Sequence, residues 1–294
     1  MAERGSAMAR FKTWPQHLVP QHGLTRLANA ASNSRWLARP LIAGFSRLYP
    51  VRLDECQTPP GGFDRFDTFF TRSLKPGVRR FPDDPEVLAS PCDGTISQVG
   101  EIERGRIIQA KGRWFSVAEL LGVPEWAENF EAGRFTTIYL APHDYHRVHM
   151  PLAGQLIGDV RIPGRLFSVS ANTSLAIDRL FARNERMVAM FTTTYGPVAV
   201  VMVAAMLVAG IGTAWGDEHD LRPGKTIRKR VFDPPVALNR GDELGRFHWG
   251  STVVVLTRRD APAWNRGLSP GQRIRLGAQL SEQLPGTSSH SNSR

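Results

Sequence analysis

Cysteine is nearly absent: Cys56 and Cys92 are the two in 294 residues. Two thiols build neither a disulfide framework nor a zinc pattern, and they suit a reducing compartment. Long apolar runs are missing too. The longest, Val198 to Gly212, is fifteen residues, short of the roughly 20 that span a bilayer. Its valines, with Gly210 and Gly212, predict a buried strand, or two with a bend. No apolar stretch follows the start, which argues against a secretory signal. Acids are scarce at the N-terminus. Residues 1–53 hold eight basic groups against Glu3 alone, so +7 of the net +10 sits there. Such a segment seeks an anionic surface, nucleic acid or lipid. A second basic run, Lys225 to Arg230, has only Phe232 near it. Without interleaved aromatics it argues against a nucleic-acid groove and reads as a solvated strand or loop.

Hydrophobic residues make up 41% of the chain, enough for a sizeable core. Leu24, Leu27, Ala28 and Ala31 share a helical face, and Leu41, Ile42, Phe45, Leu48 and Tyr49 form a second stripe. Pro40 is placed to start that second helix. Trp36, between Arg35 and Arg39, suits an anchor at a membrane surface, although the stripe could equally pack on the protein's own core. A connector at 57–64 and a short helix over 63–70 follow. From about residue 87, β-branched runs alternate with Gly and Pro turns. Strands are expected at 94–97, 106–109, 135–140, 155–160, 187–193, 198–208 and 251–256, with helices at 117–121 and near 175–182. The reading is an α+β protein. A basic amphipathic segment (1–56) precedes a β-rich catalytic domain (57–280), and a polar, disordered tail (281–294) ends the chain.

Three segments carry candidate chemistry. Asp93, in Pro91-Cys92-Asp93-Gly94, sits where turns favour an acid. His143, His146 and His149 fall between Pro142 and Pro151. Their spacing raises a metal site, but a proline-bounded loop-and-strand segment has no single ligand face; that leaves one or two as general bases, or all three as ordinary polar histidines. Cys92 has nothing beside it to lower its pKa and reads as a buried filler. Gly250-Ser251-Thr252 runs into Val253-Val254-Val255-Leu256, which puts a hydroxyl at the mouth of a strand. An Asp, a His and a Ser from separate segments are the elements of nucleophilic activation, in whatever chain order.

Seven ordered blocks then carry a resemblance. They include Phe69-Phe70-Thr71-Arg72-Ser73-Leu74-Lys75-Pro76, Pro91-Cys92-Asp93-Gly94-Thr95-Ile96-Ser97, Asp144-Tyr145-His146-Arg147-Val148-His149-Met150-Pro151, Leu180-Phe181-Ala182-Arg183-Asn184-Glu185-Arg186 and Gly245-Arg246-Phe247-His248-Trp249-Gly250-Ser251-Thr252. Together they resemble the bacterial-type phosphatidylserine decarboxylases from about residue 20 to 280. Trp249 stands where that family usually has Leu, and Cys92 where it usually has a small apolar residue.

The resemblance implies self-cleavage between Gly250 and Ser251 into a β chain (1–250) and an α chain (251–294) that stay together. Asp93 and His149 would activate Ser251, which becomes a pyruvoyl group, the cofactor. His146 is the candidate acid/base in decarboxylation, with His149 reused, and no metal is required. The partners implied are phosphatidylserine and an anionic phospholipid membrane, bound peripherally on its cytoplasmic side, with no nucleic acid. A relative that decarboxylates a different serine-bearing or amino-acid substrate is the competing enzyme reading.

Overall fold

A computed structural model describes residues 21–110, 112–206, 210–216, 224–248 and 250–283. The described chain opens with α1 (Gln21–Ser32), α2 (Arg35–Leu48) and α3 (Phe66–Phe70). Next come β1 (Gly94–Glu101), β2 (Arg106–Ala110), β3 (Arg113–Ser116), α4 (Val117–Leu121) and α5 (Pro124–Ala127). They lead to β4 (Arg134–Leu140), β5 (Arg147–His149), β6 (Gly154–Ile162), α6 (Ala171–Ala176) and α7 (Leu180–Arg183). Strands complete the fold: β7 (Arg186–Thr193), β8 (Gly196–Ala204), β9 (Ile211–Thr213), β10 (Arg228–Leu238), β11 (Glu243–Phe247), β12 (Ser251–Thr257) and β13 (Arg273–Ile274).

The α+β expectation holds. Eight strands form one antiparallel sheet in the order β10-β6-β7-β8-β12-β4-β1-β13, beside a three-stranded sheet β5-β11-β9 and the hairpin β2-β3. β12 lies inside the large sheet, and all seven of its residues are buried. That is why its sequence reads as an unbroken apolar run: neither face has water to satisfy. Burying each Val or Leu there stabilises the fold by about 2 kcal/mol. The run from Val198 bends as expected, with β8 ending at Ala204 and β9 beginning at Ile211.

Register fixes which residues share an end of the sheet. One row runs Arg228, Arg161, Met187, Met202, Val253, Ile138 from β10 to β4. At the end just beyond that row, β10, β7, β12 and β1 begin, and β6, β8 and β4 finish. Ser251 is there, opposite Leu140 on one side and Ala204 on the other.

Pro40 lies inside α2, whose N-cap is Ser34, and does not start the helix. The apolar stripe outweighs the single backbone hydrogen bond the proline removes. The helix expected near 175–182 is two short ones. Ser170 caps α6 through Thr173 N–H, and Arg179 takes a left-handed φ of 53° before α7. Gln109 ties the pieces together, donating to the carbonyls of Ser174 and Ile177 and accepting from Leu180 N–H. Ser281, read as the first tail residue, is buried, and its Oγ accepts from Leu88 N–H. The folded region therefore includes it. The rest of the expected tail from 284, and residues 1–20 of the basic segment, lie outside the described residues.

Arg186 is a buried cation that donates to four carbonyls, those of Glu119, Leu120, Ala182 and Asn184, at 2.7–2.8 Å. Arg186→Met keeps the apolar stem and strands those acceptors. The expected cost is about 3–5 kcal/mol, read as a lowered urea midpoint with an unchanged slope.

Candidate active site

The segment before Ser251 is held at three points. Phe247 N–H donates to the His146 carbonyl at 2.9 Å, and His248 N–H donates to the Gly210 carbonyl at 3.1 Å. His248 Nδ1 sits 2.7 Å from Asp67 Oδ1 on α3. Sequence reading missed the Asp67 contact, because 181 positions separate the partners. Ser251 itself has 0% exposure, and its Oγ has no hydrogen-bond partner among the described residues. A buried hydroxyl without a partner costs on the order of 1–3 kcal/mol, a cost sites bear where the group has work to do. Gly250 is not demanded by packing: a Cβ there would meet nothing within 4 Å. Trp249 lies outside the described residues.

Two histidines lie on β5 and the turn before it, beside β11, and both have their tautomer set by backbone. A carbonyl can only accept, so a ring nitrogen against one carries the hydrogen. His146 Nδ1 donates to the Asp144 carbonyl at 2.9 Å. Its Nε2 is left as a free lone pair, buried and without a partner among the described residues. Its ring lies 4.2 Å from that of Phe70. Burial drives its pKa down to about 3, against the smaller raising effect of the Asp144 carbonyl. His149 Nδ1 donates to the Gly241 carbonyl at 2.7 Å, and its Nε2 accepts from Tyr145 Oη at 3.0 Å. Burial lowers its pKa too, while the Gly241 carbonyl, Glu243 and Asp93 pull it back up and Arg147 opposes them. Burial holds the Tyr145 phenol protonated by raising its pKa, which makes it the donor.

Asp93 stands on the turn before β1, tied to His149 through backbone: His149 N–H donates to the Pro91 carbonyl at 2.8 Å. Its carboxylate does not hydrogen-bond the His149 ring. Oδ1 accepts from Arg79 Nε at 3.0 Å and from Leu276 N–H at 2.8 Å, and Oδ2 takes Arg79 Nη2 at 2.5 Å. Arg79 also reaches Glu55 Oε2 at 2.8 Å. Asp93 therefore acts on His149 through its field. Arg79 escaped sequence reading because no local pattern marks a guanidinium that will meet a carboxylate 14 residues on.

Arg72 did lie in a quoted block, without a role. Buried, it donates to Phe69, His143 and Asp144 carbonyls and to Cys56 Sγ, pinning the turn that presents His146. Arg273 grips the Asp144 carboxylate at 2.6 and 3.2 Å. A cavity of about 430 Å³, lined in part by Arg72, Arg79, Asp93, His143, Tyr145 and Arg273, opens beside this network. His149 stands behind its lining, one contact away through Tyr145.

The three histidines look three ways. His143 Nε2 faces Asp144 at 3.7 Å, while the rings of His146 and His149 meet Phe70 and Tyr145. Cys92 is fully buried, and burial, then Asp93 and Asp144, push its thiol well up. It packs as filler, as expected.

The neutral histidines have a measurable consequence. In the unfolded chain they titrate near 6.5. In the fold His146 stays neutral to about pH 3. Below 6.5 the unfolded chain binds protons that the fold refuses, so stability falls as pH drops through that window. The expected loss from His146 is on the order of 4 kcal/mol by pH 3, and His149 adds in the same direction. Denaturant titrations across this range check it: His146→Asn should flatten the acid limb, and an unchanged limb would refute the assignment.

The comparisons point the same way as the geometry. The family described as "Phosphatidylserine decarboxylase" matches residues 66–282, and a second profile, "PSD", matches residues 11–50. Curated relatives named "Phosphatidylserine decarboxylase proenzyme" are similar over nearly all of both chains. That of Methylococcus capsulatus is 45% identical, covering 90% of this chain and 94% of its own. That of Pseudomonas putida GB-1 is 46% identical (92% and 96%), and that of Pseudomonas aeruginosa PAO1 47% (90% and 94%). Alike in sequence from before Asp93 to beyond Ser251, and folded so that both stand at the same end of one sheet, the chain belongs to the phosphatidylserine decarboxylase family.

Proposed function

We propose that this protein is a self-processing decarboxylase that converts phosphatidylserine to phosphatidylethanolamine and CO2, with Ser251 as the source of its pyruvoyl group. The observation that carries the reading is the Ser251 hydroxyl: buried, without a partner among the described residues, and first in a central strand. Attack of Oγ on the Gly250 carbonyl breaks the 250–251 peptide bond and leaves an ester and a free amine. Loss of the Ser251 α-proton then expels the Gly250 carboxylate, and hydrolysis of the resulting dehydroalanine releases ammonia. The products are a β chain, 1–250, and an α chain, 251–294, held by the β12 pairings with β4 and β8.

A hydroxyl needs a base. In this reading His149 takes the Ser251 proton at Nε2 once Tyr145 yields that position, and Asp93 favours the imidazolium through space. A pyruvoyl ketone there would condense with the substrate's amine and supply a sink for the electron pair left when CO2 departs. His146 handles protons at the substrate carbon, its Nε2 already bare. Asp144 and Arg72 keep that ring in place through the turn.

The N-terminal helices support a peripheral membrane site. Trp36 is 94% exposed, Leu48 78% and Leu27 70%, among Arg26, Arg35, Arg39 and Arg47. An apolar surface rimmed by arginine suits an anionic lipid interface. Phe45 of α2 packs edge-on against Phe66, Phe69 and Phe70, and Phe70 touches His146, which links that surface to the site. Among the described residues no helix is long and apolar enough to cross a membrane.

Intact mass of the denatured protein tests the chemistry. Two species are expected, the smaller lighter by one ammonia than residues 251–294. A single uncut mass in a preparation that decarboxylates phosphatidylserine would overturn the pyruvoyl reading.

A further inference from the structure

We infer that residues 225–231, the start of β10 and the three residues before it, form a second lipid-facing patch that meets an anionic membrane alongside the N-terminal helices. The inference rests on the peripheral-membrane reading above. β10 is an edge strand: in the large sheet it pairs with β6 alone. Its side chains alternate. Arg230 and Phe232 turn one way, to Asp159 and Trp215. Lys229 and Val231 turn the other, with Ile227 just ahead of the strand. Val231 is 73% exposed and Ile227 54%, while Lys229 lies over the Trp126 ring at 5.3 Å. Lys225 and Arg228 are exposed beside them. Arg228, by the same alternation, turns with Arg230, so the patch presents bare aliphatic side chains beside Lys225 and Lys229.

An exposed apolar edge invites a partner. A second copy of the same strand would set like charges against one another, which sheets disfavour. An anionic lipid surface matches the cations and takes up Val231 and Ile227. Asp233, at the far side of the patch, is the acid on this strand.

Position supports the same occupant. The row from Arg228 to Val253 puts the beginning of β10 at the sheet end that holds Ser251. Four strand spacings separate β10 from β12, about 19 Å. A lipid surface touching both 225–231 and the helix platform near His146 would lie across the end of the sheet where the reactive serine sits. Two separated contacts would fix the tilt of the molecule, which one amphipathic segment does not.

The test uses the full chain carrying Val231→Cys. Cys56 and Cys92 are buried, so the new thiol is the exposed one and takes an environment-sensitive dye. Vesicles of phosphatidylcholine mixed with phosphatidylglycerol should shift the emission to the blue, and pure phosphatidylcholine should not. In parallel, Lys225→Gln with Lys229→Gln should lower cosedimentation with the anionic vesicles at least about tenfold, since each cation near such a surface contributes about fivefold. Decarboxylation of a short-chain, monomeric phosphatidylserine should stay within about twofold. If the labelled protein sediments with vesicles but the dye does not shift, the patch is wrong and the peripheral reading stands. If the unsubstituted protein does not sediment at all, the peripheral reading falls as well. If the double substitution changes the oligomeric state in solution instead of lipid binding, the strand is a protein interface and the inference is overturned.

Discussion

Ser251→Ala leaves the chain in one piece and without decarboxylase activity. In the proposed reading this hydroxyl attacks the 250–251 bond, and the electron sink is made from the same residue. Losing it removes both the cleavage and the cofactor. The expected loss is at least about 10⁶-fold, the low end of what enzymes contribute. The fold should not suffer. Oγ has no partner among the described residues, so alanine relieves a buried unsatisfied hydroxyl and the melting temperature should hold or rise. Gel mobility, carbon dioxide release and a melting curve on one preparation check all three. A cleaved Ser251→Ala chain would place the scission elsewhere.

His146→Asn separates the two reactions. The asparagine amide can still donate to the Asp144 carbonyl, as His146 Nδ1 does, so the turn is kept. The base at Nε2 is gone. Self-cleavage should proceed, because the proposal gives that step to His149. Decarboxylation should fall by about 10²–10⁴-fold, the usual worth of a positioned acid or base. Failure to cleave would exchange the roles of the two histidines. Full activity would remove His146 from the chemistry.

The strand pattern was legible in the sequence because burial on both faces leaves a local trace. Val253 to Leu256 and Val198 to Ala204 announce themselves as apolar runs, and α4 closes at Gly122 with a left-handed φ of 66°, the cap that glycine favours. β5, β11 and β13 are five residues or fewer, too short for a period to show. Pro40 misled because a proline's local preference was outweighed by an apolar face that tertiary contacts reward.

By itself, the sequence determined the candidate groups. Ser251 after Gly250, Asp93 in its turn and two histidines three apart were all readable, since residue type and spacing are local properties. The basic N-terminus was equally plain. Tertiary structure alone decided who holds whom. Asp93 meets Arg79 and Leu276 N–H instead of the His149 ring. His146 becomes the bare base because Asp144 takes its other nitrogen and Phe70 covers it. Such partnerships depend on which distant groups are buried together, and burial sets both their strength and their protonation.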